Sequence, residues 1–263
     1  MVAIGDKPSV LITGCSEGGI GYALAKEFQS RGIYVIATAR NLSKMTSLKN
    51  LPNVVLLSLD VTSPSMIATA VQTVQGQTNG TLTYLVNNSG SQYLSPILDV
   101  NINLAKEMYE VNVWGVVAMI KAFSPLLIKG KGTFVNIASI AGLLYPPWMG
   151  KSTHFFLSKS PLYRSILTGK GLYSGSKSCM ATISETLRLE MKPLGVNVVT
   201  VITGAIETNL FANAPEQQSL PEDSLYKPAE EEIMLRTTGG DVKYRSKGDD
   251  FARDLVKVVL RGC

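Results

Sequence analysis

The chain has 263 residues, 45% hydrophobic and 17% charged, with a formal net charge of +5. That suits one α/β domain with a sizeable core, and no run reaches the roughly 18–20 uninterrupted apolar residues of a membrane span. Lys151, Lys159, Arg164 and Lys170 carry all but one unit of the net charge, and no basic stripe with interleaved aromatics recurs elsewhere, so a nucleic-acid partner is not expected.

Met1–Ser9 lacks the charged-then-apolar order of a secretory signal. Cys15, Cys179 and Cys263 have neither metal nor disulfide spacing, which points to a reducing, intracellular and cytoplasmic setting.

Short apolar runs alternate with amphipathic ones along the chain. Val10–Thr13 predicts a first strand and Tyr22–Arg31 the helix after it. Strands follow at Tyr34–Thr38, Val54–Leu59 and Thr83–Val86, then a long helix over Ala105–Leu127. Thr133–Ile137 predicts the fifth strand, Ser176–Met191 a helix and Asn197–Ile202 the sixth strand. Strands apolar on both flanks and separated by helices predict a Rossmann-like, doubly wound parallel sheet in a single domain over 1–263. The ligand crevice then lies at the carboxyl ends of the strands. Asn209–Gly248 is polar, holds Pro215, Pro221 and Pro228, and is expected to form a partly helical flap over that crevice.

The first strand runs into Thr13-Gly14-Cys15-Ser16-Glu17-Gly18-Gly19-Ile20-Gly21 and then a helix. Glycines there let the backbone approach a pyrophosphate, and the helix start offers free N–H groups to the anion. The second strand ends Thr38-Ala39-Arg40, with no acid between Tyr34 and Ser43. A cation where NAD enzymes place an acid accommodates a 2′-phosphate, so Arg40 points to NADP(H). Tyr173 and Lys177 are four apart and share one face of a helix. A phenol titrates near about 10, and a nearby ammonium is expected to lower that value and make the tyrosine a proton donor and acceptor.

Four motifs occur in order: Thr13–Gly21, Asn87-Asn88-Ser89-Gly90, Asn136-Ile137-Ala138-Ser139 and Tyr173-Ser174-Gly175-Ser176-Lys177. Together they resemble the short-chain dehydrogenases/reductases over about Pro8 to Phe211. The resemblance implies that Ser139 holds a carbonyl oxygen, Tyr173 moves the proton, and Lys177 supports it and the nicotinamide ribose. It implies that Asn112 anchors the water chain of the proton relay. It places Gly14, Ser16, Gly19, Ile20 and Gly21 at the phosphates, with Thr38 and Arg40 beside them. Asp60 would meet the adenine, Asn87 the ribose region, and Ile206 and Thr208 the nicotinamide amide, with Lys121 also at the cofactor site. No metal is implied, and a homo-oligomer is.

The glycine loop has one residue more than the common family pattern, and Thr203-Gly204 stands where most members have Pro-Gly. Both features, with Cys15 and Tyr22–Phe28, resemble a subgroup containing fungal 1-acyldihydroxyacetone-phosphate reductases. That implies an NADPH-dependent reductase of a lipid-type ketone or of a specialised-metabolite ketone. It also allows a site at a lipid-droplet or endoplasmic-reticulum surface.

Ser139 and Tyr173 are 34 apart, more than in the family, and removal of Lys151–Gly171 restores the family spacing. Gly150-Lys151-Ser152 can be encoded as GGT-AAG-TCN, which contains a splice-donor consensus. Lys170-Gly171 can be encoded with an acceptor AG in the same phase. The segment therefore reads as a retained intron translated in frame, or as an insertion beside the substrate mouth whose Phe155, Phe156 and Tyr163 meet a membrane interface. If the spacing parts Ser139 from Tyr173, the alternative function is a cofactor-binding protein with little turnover. A serine hydrolase does not fit: the sole histidine, His154, lies in that segment, and no Gly-x-Ser-x-Gly elbow surrounds Ser139. The final Arg261-Gly262-Cys263 follows directly on a helix-like run Phe251–Leu260, and a last edge strand is expected to be missing.

Overall fold

A computed structural model describes residues 7–143, 171–214, 219–240, 242 and 244–261. Strand β1 (Ser9–Thr13) leads into α1 (Ile20–Ser30), then β2 (Tyr34–Ala39), a 3-10 segment (Leu42–Leu48) and β3 (Val54–Ser58). Next come α2 (Pro64–Gln77), β4 (Tyr84–Asn87), α3 (Ile102–Tyr109) and α4 (Gly115–Gly130), then β5 (Thr133–Ser139). After α5 (Gly171–Met191) come β6 (Asn197–Thr203), α6 (Glu230–Thr237) and α7 (Gly248–Leu260). The segment 151–170 lies outside the described residues, so its reading as intron or insertion receives no structural account; Gly171 opens α5.

The six strands form one parallel sheet in the order β3-β2-β1-β4-β5-β6. The order in which successive strands are added reverses at β1 and β4, the switch point where a ligand crevice opens in doubly wound folds. Alternate residues feed two apolar layers. Leu11, Ile36, Leu85 and Phe134 pack with α2, α4 and α5 on one face. Val10, Ile12, Val35 and Val135 pack with α1 and α7 on the other. Burial on both faces makes these strands continuous apolar runs rather than alternating ones.

Sequence periodicity passed over α2, whose apolar positions Ile67, Ala70 and Val74 are diluted by Ser, Thr and Gln. It is nucleated by Ser63, whose hydroxyl accepts from the Met66 N–H at 3.4 Å, and by Pro64 at its first position. Helix α5 starts five residues earlier than the pattern predicted, which puts Tyr173 in its first turn. The predicted flap is partly helical where described, through α6 and a short turn at Lys227–Ala229. Helices α3 and α4 join through a π-helical turn (Glu110–Trp114) into one rod, Ile102–Gly130. That rod is apolar and long enough to cross a membrane, but half of its apolar window is buried inside the fold.

Candidate active site

The glycine loop closes the end of β1. Gly14 and Gly18 have φ of +74° and +75°, a region that side chains rarely enter. A Cβ on Gly21 would sit 2.4 Å from the Gly14 carbonyl oxygen, so only glycine lets α1 start this close to the strand. Thr13 locks the loop to β4: its hydroxyl accepts from the Asn88 and Ser89 N–H groups, each at 2.9 Å. The Asn88 amide donates to the carbonyls of Thr13 at 2.8 Å and Gly14 at 3.1 Å. The result is a cleft floored by backbone that no Cβ obstructs, which fits a dinucleotide phosphate seat.

Gly14, Ser16, Gly19, Ile20, Arg40, Asp60, Thr208, Tyr173 and Lys177 all line this cleft. Arg40 is exposed at its edge, and no ion pair holds its guanidinium among the described residues. One Asp60 oxygen accepts from the Thr62 N–H at 2.9 Å and hydroxyl at 2.7 Å, so the carboxylate also fixes the turn beneath it.

Other expected residues stand behind the cleft. The Thr38 hydroxyl is buried and donates to the Ile12 carbonyl at 3.0 Å, tying β2 to β1. Asn87 is buried and donates to Asn136 Oδ1 at 2.8 Å, leaving its own Oδ1 without a partner. Its neighbours Asn88, Ser89, Gly90 and Ser91 form the wall instead. Ile206 bridges to Ser246, and Lys121 is exposed on α4; neither is among the lining residues.

The catalytic candidates converge at the far end. Ser139 ends β5, and its hydroxyl accepts from the Ala141 N–H at 3.2 Å. The Tyr173 phenol lies close enough to that same serine for its hydroxyl to oppose part of the effect of burial on the phenol. The long spacing therefore does not part the pair. The reason is tertiary: a Cβ on Gly142 would lie 2.6 Å from the Lys177 carbonyl carbon and the Ser178 nitrogen. The turn after Ser139 thus packs directly on α5, whatever the length of chain between them. Gly142 carried no sequence signal, because close approach is invisible without the partner helix.

Lys177 is buried, and its Nζ donates to the Ile137 carbonyl at 3.3 Å. Burial pushes its pKa from 10.5 down to about 8. Tyr173 is raised above its ordinary value by burial, with the Ser139 hydroxyl opposing in part. Dehydration in the cluster of Tyr93, Leu94 and Met108 is the larger cause, and the Lys177 ammonium donates to the Ile137 carbonyl. Asn112 sits in the π-helical turn with its amide fully engaged. Oδ1 accepts from the Ser91 N–H at 2.8 Å, and Nδ2 donates to the Ser91 carbonyl at 2.9 Å and the Ser176 hydroxyl at 3.1 Å. It fixes the Gly90–Ser91 wall and α5 together rather than lining the cleft. Cys15 beside Gly14 is fully buried, and its thiol is pushed up to about 12, which leaves it unreactive.

Site residues missed from sequence are Glu17, Asn209 and Asn213 on the cleft wall. Asn88 to Ser91 lay inside or beside a quoted motif, and their roles needed only its neighbours.

A parallel sheet with a phosphate-type cleft at its switch point, and half-buried Ser139 beside buried Tyr173 and Lys177, fits a dinucleotide-dependent oxidoreductase. The model of the short chain dehydrogenase family matches residues 8–151 and 163–219, and the chain belongs to that family. It is an oxidoreductase acting on CH–OH groups, with a nicotinamide cofactor and a small-molecule substrate. Its sequence is 42% identical to the short-chain dehydrogenase ptmH of Penicillium ochrochloron, over 97% of this chain and 85% of that one. With the NADPH-dependent 1-acyldihydroxyacetone phosphate reductase of Schizosaccharomyces pombe identity is 36%, over 86% of this chain and 70% of that one. The subgroup resemblance drawn from the glycine loop is thereby corrected: motifs shared with the reductase are also compatible with relatives of higher overall identity. A short-chain dehydrogenase from Streptomyces avermitilis shares the fold, with a TM-score of 0.75, 24% identity, and coverage of 97% of this chain and 84% of that one.

Proposed function

We propose that the protein is an NADPH-dependent reductase of a ketone in specialised metabolism. The juxtaposition of the Tyr173 phenol and Ser139 beside buried Lys177 carries the reading. Arg40 at the other end of the cleft supports NADPH over NADH, since an unpaired guanidinium there suits a 2′-phosphate. The fission-yeast relative, an NADPH-dependent reductase, supports the cofactor and direction. The higher identity to a Penicillium dehydrogenase favours a substrate other than an acyl-dihydroxyacetone phosphate.

The substrate oxygen accepts from Ser139 and Tyr173 together, which orients and polarises the carbonyl. The bound cofactor supplies a hydride to the carbonyl carbon. Tyr173 gives its proton to the carbonyl oxygen, so that one hydride and one proton make the alcohol. Burial keeps the phenol protonated beforehand, which suits a donor. Lys177, four residues on along the same helix, is placed to hold the nicotinamide ribose, the role the family resemblance implies. Asn112 holds the Gly90–Ser91 wall in place, with Lys177 Nζ 3.6 Å from where a Gly90 Cβ would lie.

We also propose that Lys151–Gly171 is surplus to the catalytic unit. The family match omits 152–162, and Ser139 meets Tyr173 with the segment in the chain.

A panel of ketones with NADPH, followed by loss of its absorbance, tests the reading. Tyr173→Phe is expected to lower kcat by about 10²–10⁴-fold with NADPH affinity retained. Undiminished turnover in that variant rules out the proposed proton donor.

A further inference from the structure

Glu17 lies on the cleft wall within the glycine loop, where a negative charge beside a phosphate seat is unexpected. Its carboxylate is engaged outside the cleft. Oε1 accepts from the Ser47 N–H at 3.1 Å, the Ser47 hydroxyl at 2.7 Å and the Thr46 hydroxyl at 3.4 Å. The Glu17 N–H donates to the Lys44 carbonyl at 2.8 Å. Tyr22, in the first turn of α1, shares the Ser47 hydroxyl at 2.8 Å. On the other side the Asn209 amide donates to the Glu17 carbonyl at 3.0 Å. One residue therefore ties together the glycine loop, the 3-10 segment Leu42–Leu48 and the base of the flap. That segment starts two residues after Arg40. The separation of Arg40 from the phosphate seat is set by the end of β2 on one side and by Glu17 on the other.

We infer that Glu17 is a positioning residue for cofactor choice, clamping the glycine loop to the 3-10 segment so that Arg40 stands at the distance a 2′-phosphate requires. The inference rests on the NADPH reading above. A guanidinium–phosphate contact depends on placement, whereas a dinucleotide lacking the 2′-phosphate makes no use of Arg40. Loss of the clamp is therefore felt by NADP and not by NAD. The rival role is that of the acid in NAD sites, which accepts from the ribose hydroxyl; it predicts the reverse.

Calorimetric titration of the full chain with NADP⁺ and with NAD⁺, without substrate, decides the matter. Glu17→Ala is expected to weaken NADP⁺ about five- to tenfold, the worth of a lost hydrogen-bonding centre, and to leave NAD⁺ unchanged. Removing a negative charge by itself favours NADP⁺, so this loss runs against simple electrostatics. Glu17→Gln keeps an acceptor and is expected to bind NADP⁺ at least as tightly as the wild type. Ser47→Ala, a change outside the cleft, is expected to show a smaller loss of the same kind and serves if Glu17→Ala fails to fold. Unchanged NADP⁺ affinity in both Glu17→Ala and Ser47→Ala overturns the clamp, as does equal weakening of both dinucleotides or weakening of NAD⁺ alone. Arg40→Ala separates the two levels. If it leaves NADP⁺ affinity intact, the NADPH reading fails and the clamp fails with it. If it weakens NADP⁺ while both clamp variants do not, only the clamp fails.

Discussion

Replacing Lys177 by methionine is expected to stabilise the protein while abolishing its chemistry. The ammonium is buried, donates to the Ile137 carbonyl at 3.3 Å, and has its pKa pushed from 10.5 to about 8 by burial alone. The folded-state value lies below the unfolded one, so the unfolded chain holds the extra proton between about pH 8 and 10.5. Below pH 8 the whole cost of the buried charge is present. At about 1.4 kcal/mol per unit, the shift amounts to about 3 kcal/mol of stability forgone at neutral pH. Methionine matches the lysine stem in volume and needs no hydration, so Lys177→Met recovers most of that amount. For a chain of this size the gain corresponds to a Tm rise of roughly 6–12 °C. The assay is thermal unfolding of both proteins from pH 6.5 to 10.5. The gap is expected to be widest below pH 8 and to close as the pH rises through that window. A variant no more stable than wild type at pH 7, or a gap independent of pH, refutes the claim that dehydration of Lys177 costs stability.

Three further outcomes follow from the same geometry. Ser139→Ala removes one of two donors to the substrate oxygen, and kcat is expected to fall about 10²-fold with NADPH affinity unchanged, measured by steady-state kinetics and calorimetry. Gly142→Ala puts a methyl group 2.6 Å from the α5 backbone, and the displaced helix is expected to lose turnover and about 1–3 kcal/mol of stability in a denaturant titration; an unperturbed variant sinks the packing argument. Deletion of residues 151–171 is expected to leave a folded enzyme with ketone reduction at least equal to that of the full chain. Loss of folding or activity on deletion shows the segment to be integral, and a message that uniformly retains its codons ends the intron reading.

Much of this protein was legible in one dimension. The six strands are short apolar runs because both faces of the sheet are covered, and the glycines between β1 and α1 announce a close backbone approach. The four-residue spacing of Tyr173 and Lys177 needs only a helix to bring them to one face. Arg40 was found by its place at the end of β2. What stayed hidden was whatever depends on a distant partner. Asn87 and Asn88 look alike in sequence, yet one is buried against Asn136 and the other walls the cleft. Glu17 reads as a stray acid until Ser47, thirty residues on, folds against it.

The Ser139–Tyr173 pair divides the two kinds of information. Residue order alone determined the chemistry on offer, because hydroxyl, phenol and ammonium carry their reactivity wherever they stand. Counting along the chain suggested that the pair was broken. Only the packing of the Gly142 turn on α5 decided that it is not, since contact in a fold depends on which surfaces meet and not on how much chain runs between them.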